Sequence, residues 1–262
     1  MKLINGGVCA AKGYTANGVH CGIRKNRSKR DLALVLSEVP ASAAAVYTTN
    51  LVKGAPLTVT KNHIADGKAQ AVICNSGNAN TCNANGIEIA EEMSALVAQQ
   101  LGVKAEDVVV ASTGVIGQPL DIAPIASGIP ALAQGLSAEG AAAAAEAIMT
   151  TDTIAKEVAV EFELGGKTCH LGGMAKGSGM IHPNMATMLV FLTTDAAISP
   201  AMLQKALSSD VAASFNMLSV DGDTSTNDMV VLLANGLAGN AEVTEENDDF
   251  AVFMKALNTV TV

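Results

Sequence analysis

The residues best placed to do chemistry in this 262-residue chain fall in one stretch, Gly172 to Asp195, which reads GGMAKGSGMIHPNMATMLVFLTTD. As far as Ala186 it is glycine-rich and irregular. From Thr187 it becomes the apolar run Met188-Leu189-Val190-Phe191-Leu192, closed by Thr193, Thr194 and Asp195, the pattern of a buried strand. A threonine thus stands where a flexible loop enters a core strand. Its hydroxyl is a weak nucleophile unless a base takes the proton. One solution is for the threonine to become a new N-terminus whose own α-amine, with a pKa of about 7.7–8.0, is that base. Making the amine requires cutting the bond before it. The Thr187 hydroxyl attacks the Ala186 carbonyl, and water hydrolyses the ester that results. The step needs a small preceding residue and a flexible approach, and Ala186 and Gly177-Ser178-Gly179 supply them. A strand-mouth threonine that only hydrogen-bonds the backbone is the other reading of the same position.

The elements that must hold this stretch follow from pattern. Apolar runs predict strands at 31–36, 44–47, 69–74, 108–110, 158–164 and 229–233, with extended pieces at 57–59 and 168–171 and a turn at Gly165-Gly166. Helices are expected at 87–100, at 120–136 with a break near Gly128 and Pro130, at 141–148, from Ser199-Pro200 to about 216, and at 245–257, leaving 258–262 extended. The run AQAVIC at 69–74 leads into Asn75-Ser76-Gly77-Asn78-Ala79-Asn80. With Asn83 and Asn85 this makes five asparagines in eleven residues, a loop held by its own side-chain hydrogen bonds or a binding loop. The fold class expected is α+β, with mixed or antiparallel sheets layered with helices.

Composition limits the function. Apolar residues are 49% of the chain and aromatics 3%, with no Trp and eleven Met, so the core must be built from small aliphatic side chains with Met as filler. A net charge of −9 argues against nucleic acid, whose phosphates call for Lys and Arg. No apolar run approaches the ~18 residues of a membrane span, and the first residues do not read as a signal peptide. Five cysteines at irregular spacing fit reduced thiols and a cytoplasmic location. No metal site is expected, because only four His occur, no Cys-x-x-Cys is present and no His pair has ligand spacing. The Gly172–Ser178 run is not a phosphate loop either, since Lys176 precedes Gly177 instead of following it.

Taken together, AVICNSGNANTC, VVVASTGVIG, AIMTTD, GGMAKGSGMIHPNMATML and SVDGDTSTND, in this order, resemble segments of the ArgJ family, the bifunctional ornithine acetyltransferases and glutamate N-acetyltransferases of arginine biosynthesis. The resemblance covers about residues 5 to 240. It implies a DmpA/ArgJ-like fold and a precursor that cuts itself autocatalytically between Ala186 and Thr187. The products would be an α part, residues 1–186, and a β part beginning at the nucleophile, here residues 187–262, the two sharing one core. It further implies a ping-pong acyltransferase: N-acetylornithine acetylates Thr187, ornithine leaves, and glutamate takes the acetyl group. Acetyl-CoA is a further donor in some members, and no cofactor is needed.

By the same resemblance Thr113 and Gly114 form the oxyanion hole, and Thr150, Lys176 and Thr187 contact substrate. These roles suit the residue types. A hydroxyl and a backbone N–H at a strand mouth can stabilise an oxyanion, and Lys176 can pair with an α-carboxylate; a simple turn and a solvated lysine are the plain alternatives. The full-length assembly implied is a heterotetramer of α and β parts. Family members run well beyond 262 residues, so the β part here is incomplete, and Glu245 to Asp249 reads as a solvated helix start. The competing functions are an N-terminal-nucleophile aminopeptidase or amidase, in which water replaces the acceptor amine, and a truncated, non-catalytic fragment.

Overall fold

The computed structural model describes residues 1–26, 28–179 and 188–262. Among these, nine strands form one hydrogen-bonded sheet: β1 (Lys2–Ile4), β2 (Tyr14–Val19), β3 (Leu32–Tyr47), β4 (Lys68–Asn78), β5 (Val108–Val115), β6 (Lys156–Leu164), β7 (Lys167–Lys176), β8 (Leu189–Thr194) and β9 (Met229–Ala234). Their order is β1-β6-β7-β8-β9-β3-β4-β5, with β2 also paired to β3. β4–β5 and β8–β9 are parallel and the other pairs antiparallel. The helices are α1 (Ala55–His63), α2 (Gly86–Leu101), α3 (Ile122–Gln134), α4 (Ala141–Ile148), α5 (Pro200–Ala213) and α6 (Asp248–Thr261). None of the described helices is long and apolar enough to cross a membrane.

The long strand β3 organises the layers. Its first half pairs with β2 and β4, its register shifts between Leu36 and Ala41, and its last residues pair with β9. The sheet folds over at that point, so the two halves face each other across one core. That core joins Val35, Val72, Cys74 and Val109 from one half to Met174, Leu189, Phe191 and Val231 from the other. Outside the first half, α2 and α3 lay Met93, Val97, Ile125 and Leu132 against Leu34, Ile73 and Val110. Outside the second, α5 and α6 lay Leu203, Leu207, Phe253 and Leu257 against Val190, Leu192, Val230 and Leu232. The result is a helix–sheet–sheet–helix stack, within the α+β class expected. It also explains the unbroken apolar run at 188–192: β8 is buried on both faces, so nothing in it alternates.

Several local expectations give way to tertiary contacts. Residues 57–59, predicted extended, lie in α1, which starts at Ala55-Pro56 and holds Thr60 Oγ1 against the Val110 carbonyl at 2.7 Å. The segments 31–36 and 44–47 are parts of the single strand β3. Asn75 to Asn78 continue β4 beside β5. The last residues are helical to Thr261, where Asn258 Nδ2 and Thr261 Oγ1 donate to the buried Asp210 carboxylate at 3.0 and 2.6 Å. Two parallel crossovers, β4-α2-β5 and β8-α5-β9, were not legible as strand–helix–strand repeats.

Candidate active site

Folding the sheet over brings its strand ends to one place. A cleft of about 560 Å³ lies between the ends of β4, β5 and β7, the loop after α4, and the segment before β9. Thr113, Gly114, Thr150 and Lys176, which come from three separate parts of the sequence, all line it. Thr187 and Ala186, and with them the expected cleavage site, lie outside the described residues. Met188, next in the chain, donates its backbone N–H to Asp228 Oδ1 at 3.0 Å, and its carbonyl accepts from Met229 N at 3.2 Å. The start of β8 is thereby fixed beside Lys176, which pairs with Leu189 in the β7–β8 ladder.

Thr113 and Gly114 end the buried part of β5. Among the described residues the Thr113 hydroxyl has no hydrogen-bond partner. Gly114 has φ +135° and stands opposite Gly77 in the parallel pair. A Cβ there would lie 2.3 Å from the Gly77 carbonyl carbon and 2.5 Å from Asn78 N, so only glycine lets the two backbones approach this closely.

Lys176 is 4% exposed, and no described residue accepts a hydrogen bond from it. Burial pushes its pKa down, while Asp152, Cys74 and Asp228 pull it back up. Asp152 is the fixed point behind it. Its Oδ1 accepts from Lys156 Nζ at 2.6 Å and Gly177 N at 2.8 Å, and its Oδ2 accepts from Thr150 N at 3.3 Å. Burial alone would raise this carboxyl, but the three donors together bring it below its ordinary value. One buried aspartate therefore ties the Thr150 loop to the end of β7.

Asn227 does the same for β4 and β5. Its Nδ2 donates to the Ala79 and Ser112 carbonyls at 2.7 and 3.0 Å, and its Oδ1 accepts from the Thr81 and Thr226 hydroxyls, each at 2.6 Å. Next to it, Asp228 is almost fully buried, its Oδ2 has no partner among the described residues, and burial pushes its carboxyl up to about 7. Sequence reasoning assigned none of Asp152, Asn227 and Asp228 a role at the site.

The asparagine-rich segment is not the loop expected: as far as Asn78 it is strand β4, and its amides bond backbone carbonyls around the strand end. Asn75 Nδ2 donates to the Asn78 carbonyl at 2.9 Å, Asn78 Nδ2 to the Gln118 carbonyl at 3.0 Å, and Asn80 Nδ2 to the Gly86 carbonyl at 2.8 Å. All five cysteines are unpaired. Burial pushes Cys9, Cys21, Cys74 and Cys169 up to about 12, which makes them poor nucleophiles. Among the described residues no three His, Cys, Asp or Glu are placed to hold a metal ion.

This stack resembles that of the L-aminopeptidase D-Ala-esterase/amidase of Ochrobactrum anthropi, described as a variant of the Ntn hydrolase fold. The TM-score is 0.60 over 100% of this chain and 86% of that one, at 13% identity, a likeness in fold alone. The chain belongs to the ArgJ family, whose sequence pattern matches residues 15–262. It is 53% identical over 264 residues to the arginine biosynthesis bifunctional protein ArgJ of Symbiobacterium thermophilum, an alignment covering all of this chain and 66% of that protein. It is also similar to the ornithine acetyltransferase of Mycobacterium tuberculosis solved in complex with ornithine. There the identity is 36% and the TM-score 0.63, over 70% of this chain and 97% of the solved one. The chain thus spans just under two thirds of the length of the curated relative it matches.

Proposed function

We propose that this chain is the larger portion of an acetyltransferase that moves an acetyl group from N-acetylornithine to glutamate through Thr187. The observation that carries the reading is the convergence of Thr113, Gly114, Thr150 and Lys176 on one cleft, with the start of β8 anchored at its edge. Family membership supports the same reaction class.

In this reading the Thr187 hydroxyl attacks the Ala186 carbonyl, the peptide bond gives way to an ester, and water releases residues 1–186 with a free Thr187 amine. That amine then takes the hydroxyl proton as Thr187 attacks the acetyl carbonyl of N-acetylornithine. The Thr113 hydroxyl and the Gly114 N–H receive the oxyanion. Ornithine departs with the proton, and the amine of glutamate attacks the acetyl ester to regenerate Thr187. Lys176 holds the α-carboxylate shared by donor and acceptor, and Thr150, fixed through Asp152, borders it. Acetyl-CoA serves as a second donor for glutamate. The enzyme works in the cytoplasm, and the full-length protein assembles as a heterotetramer of α and β parts.

The topology supports a cut that leaves the fold intact. β8 and β9, both after Thr187, lie in the sheet between β7 and β3, both before it. Each of those two ladders pairs six residues across the division. The share of this chain matched by the solved ornithine acetyltransferase chain, 70%, is also close to residues 1–186 of 262, about 71%.

The test is the intact mass of the purified chain under denaturing conditions, beside Thr187→Ala. Two pieces divided between Ala186 and Thr187, co-purifying until denatured and absent from the variant, are expected. A single uncut species in both leaves Thr187 without its amine and removes the reading for this chain. Release of free amine from aminopeptidase substrates without acetyl transfer to glutamate would replace it with an amidase.

A further inference from the structure

The same cleft holds a second cation that the transfer chemistry above does not use. Arg24 lines it together with Lys176. Arg24 sits in the basic run IRKNRSKR, and no motif links it to the cleft. The structure shows a built position. Asp31, fully buried, accepts the backbone N–H groups of Cys21, Gly22 and Arg24 at 2.7, 3.3 and 2.9 Å, wrapping the loop around one carboxylate. Arg24 Nη2 donates to the Met149 carbonyl, one residue before Thr150. Gly77 leaves room for its stem, since a Cβ there would lie 2.9 Å from Arg24 Cγ. Nε and Nη1 have no partner among the described residues. Lys176, nine-tenths buried and equally without an acceptor, lines the same space.

Two cations with unused donors in one cleft, on a chain of net charge −9, call for a ligand with two anionic groups. The nearby Asp152 does not meet that need, since its oxygens are already taken by Lys156, Gly177 and Thr150. Asp221 and Asp223, on the segment before β9, give the cleft an acidic part as well. A cavity carrying both signs suits a reaction whose donor has a basic side chain and whose acceptor has an acidic one. We propose that Arg24 receives the side-chain carboxylate of the acceptor amino acid, while Lys176 takes the α-carboxylate common to acceptor and donor. Arg24 is then the residue that selects a dicarboxylic acceptor; this rests on the transfer reading above.

The test is the ratio of kcat/KM for glutamate to that for glutamine as acetyl acceptors, in the wild-type chain, Arg24→Gln and Arg24→Lys. Loss of a charge-assisted hydrogen bond lowers the ratio about tenfold to a hundredfold in Arg24→Gln, with partial recovery in Arg24→Lys. A residue that only braced the Met149 loop would weaken both acceptors together, and an unchanged ratio overturns the proposal. Should Arg24→Gln not fold, the Lys variant decides, with about a threefold fall expected and no fall overturning it. If the wild-type chain transfers no acetyl group, the transfer reading fails separately. Calorimetric titration with glutamate and glutamine then tests Arg24 alone, and equal binding of the two to the wild type overturns the assignment.

Discussion

Asn227→Ala should cost this protein about 3 kcal/mol of stability, and the figure can be worked from its contacts. The side chain is 5% exposed and makes four hydrogen bonds. Two of them are recovered when it is removed. The Thr226 hydroxyl already lies 3.5 Å from the Thr81 hydroxyl, and Thr81 Oγ1 already lies 3.2 Å from the Ala79 carbonyl, so both can rotate to new partners. The donation to the Ser112 carbonyl has no substitute among the described residues. The loss is therefore about 1 kcal/mol for each amide donation, plus roughly 1 kcal/mol or more for a buried carbonyl left bare. For a domain of this size the melting temperature falls by roughly 6–10 °C. Urea denaturation measures the loss directly. Asn227→Asp discriminates further: it keeps the acceptor but sets a carboxylate against two carbonyl oxygens. It should be less stable than the Ala variant at neutral pH and regain stability on acidification as the carboxyl takes up a proton. A loss below about 1 kcal/mol in Asn227→Ala, or an aspartate variant indifferent to pH, would refute the idea that this residue ties β4 to β5.

Gly114→Ala should lose about 3–5 kcal/mol, because its Cβ meets fixed backbone at 2.3 Å and its φ is +135°. Gly117→Ala, at φ +77° with nothing within 4 Å, should lose only about 1 kcal/mol, and equal melting temperatures for the two variants would contradict the packing argument. Asp228 gives a pH signature. Burial raises its carboxyl from 3.8 to about 7, so between those values the folded chain holds a proton that the unfolded chain has released. Its contribution is complete below pH 4 and declines as pH rises towards 7, by on the order of 4 kcal/mol. Asp228→Asn should remove that slope in urea midpoints measured from pH 4.5 to 7.5.

The fold class was legible because the core strands are short apolar runs and the helices carry apolar faces, both properties of neighbouring residues. What stayed hidden depends on distance. In SEVPA at 37–41 only Pro40 marks a break in the ladder, and it does not say that the sheet turns over there, yet that turn brings Thr113 and Lys176 to one cleft. The shorter misreadings share the same cause. Residues 57–59 have the β-branched composition of a strand but pack as a helix, because Thr60 meets the Val110 carbonyl. Arg24 drew no reading from the sequence, because Asp31, which folds its loop inward, sits seven residues on without any pattern linking the two.

Polarity in the sequence also misdirects. The segments 75–80 and 219–227 are dense in Asn, Ser, Thr and Asp, and both border the cleft, so both invite reading as ligand contacts. Their amides instead serve backbone carbonyls: Asn75, Asn78 and Asn80 bond carbonyls around the end of β4, and Asn227 joins two strand ends. A side chain already committed to the backbone has little left for a substrate. The groups with capacity to spare are those whose surroundings desolvate them without pairing them, namely the Thr113 hydroxyl, the Lys176 ammonium and the outer N–H groups of Arg24. Unspent hydrogen-bonding capacity in a cleft is a sharper guide to binding than polarity along the chain, because burying such groups unpaired costs free energy that only a ligand or water can restore.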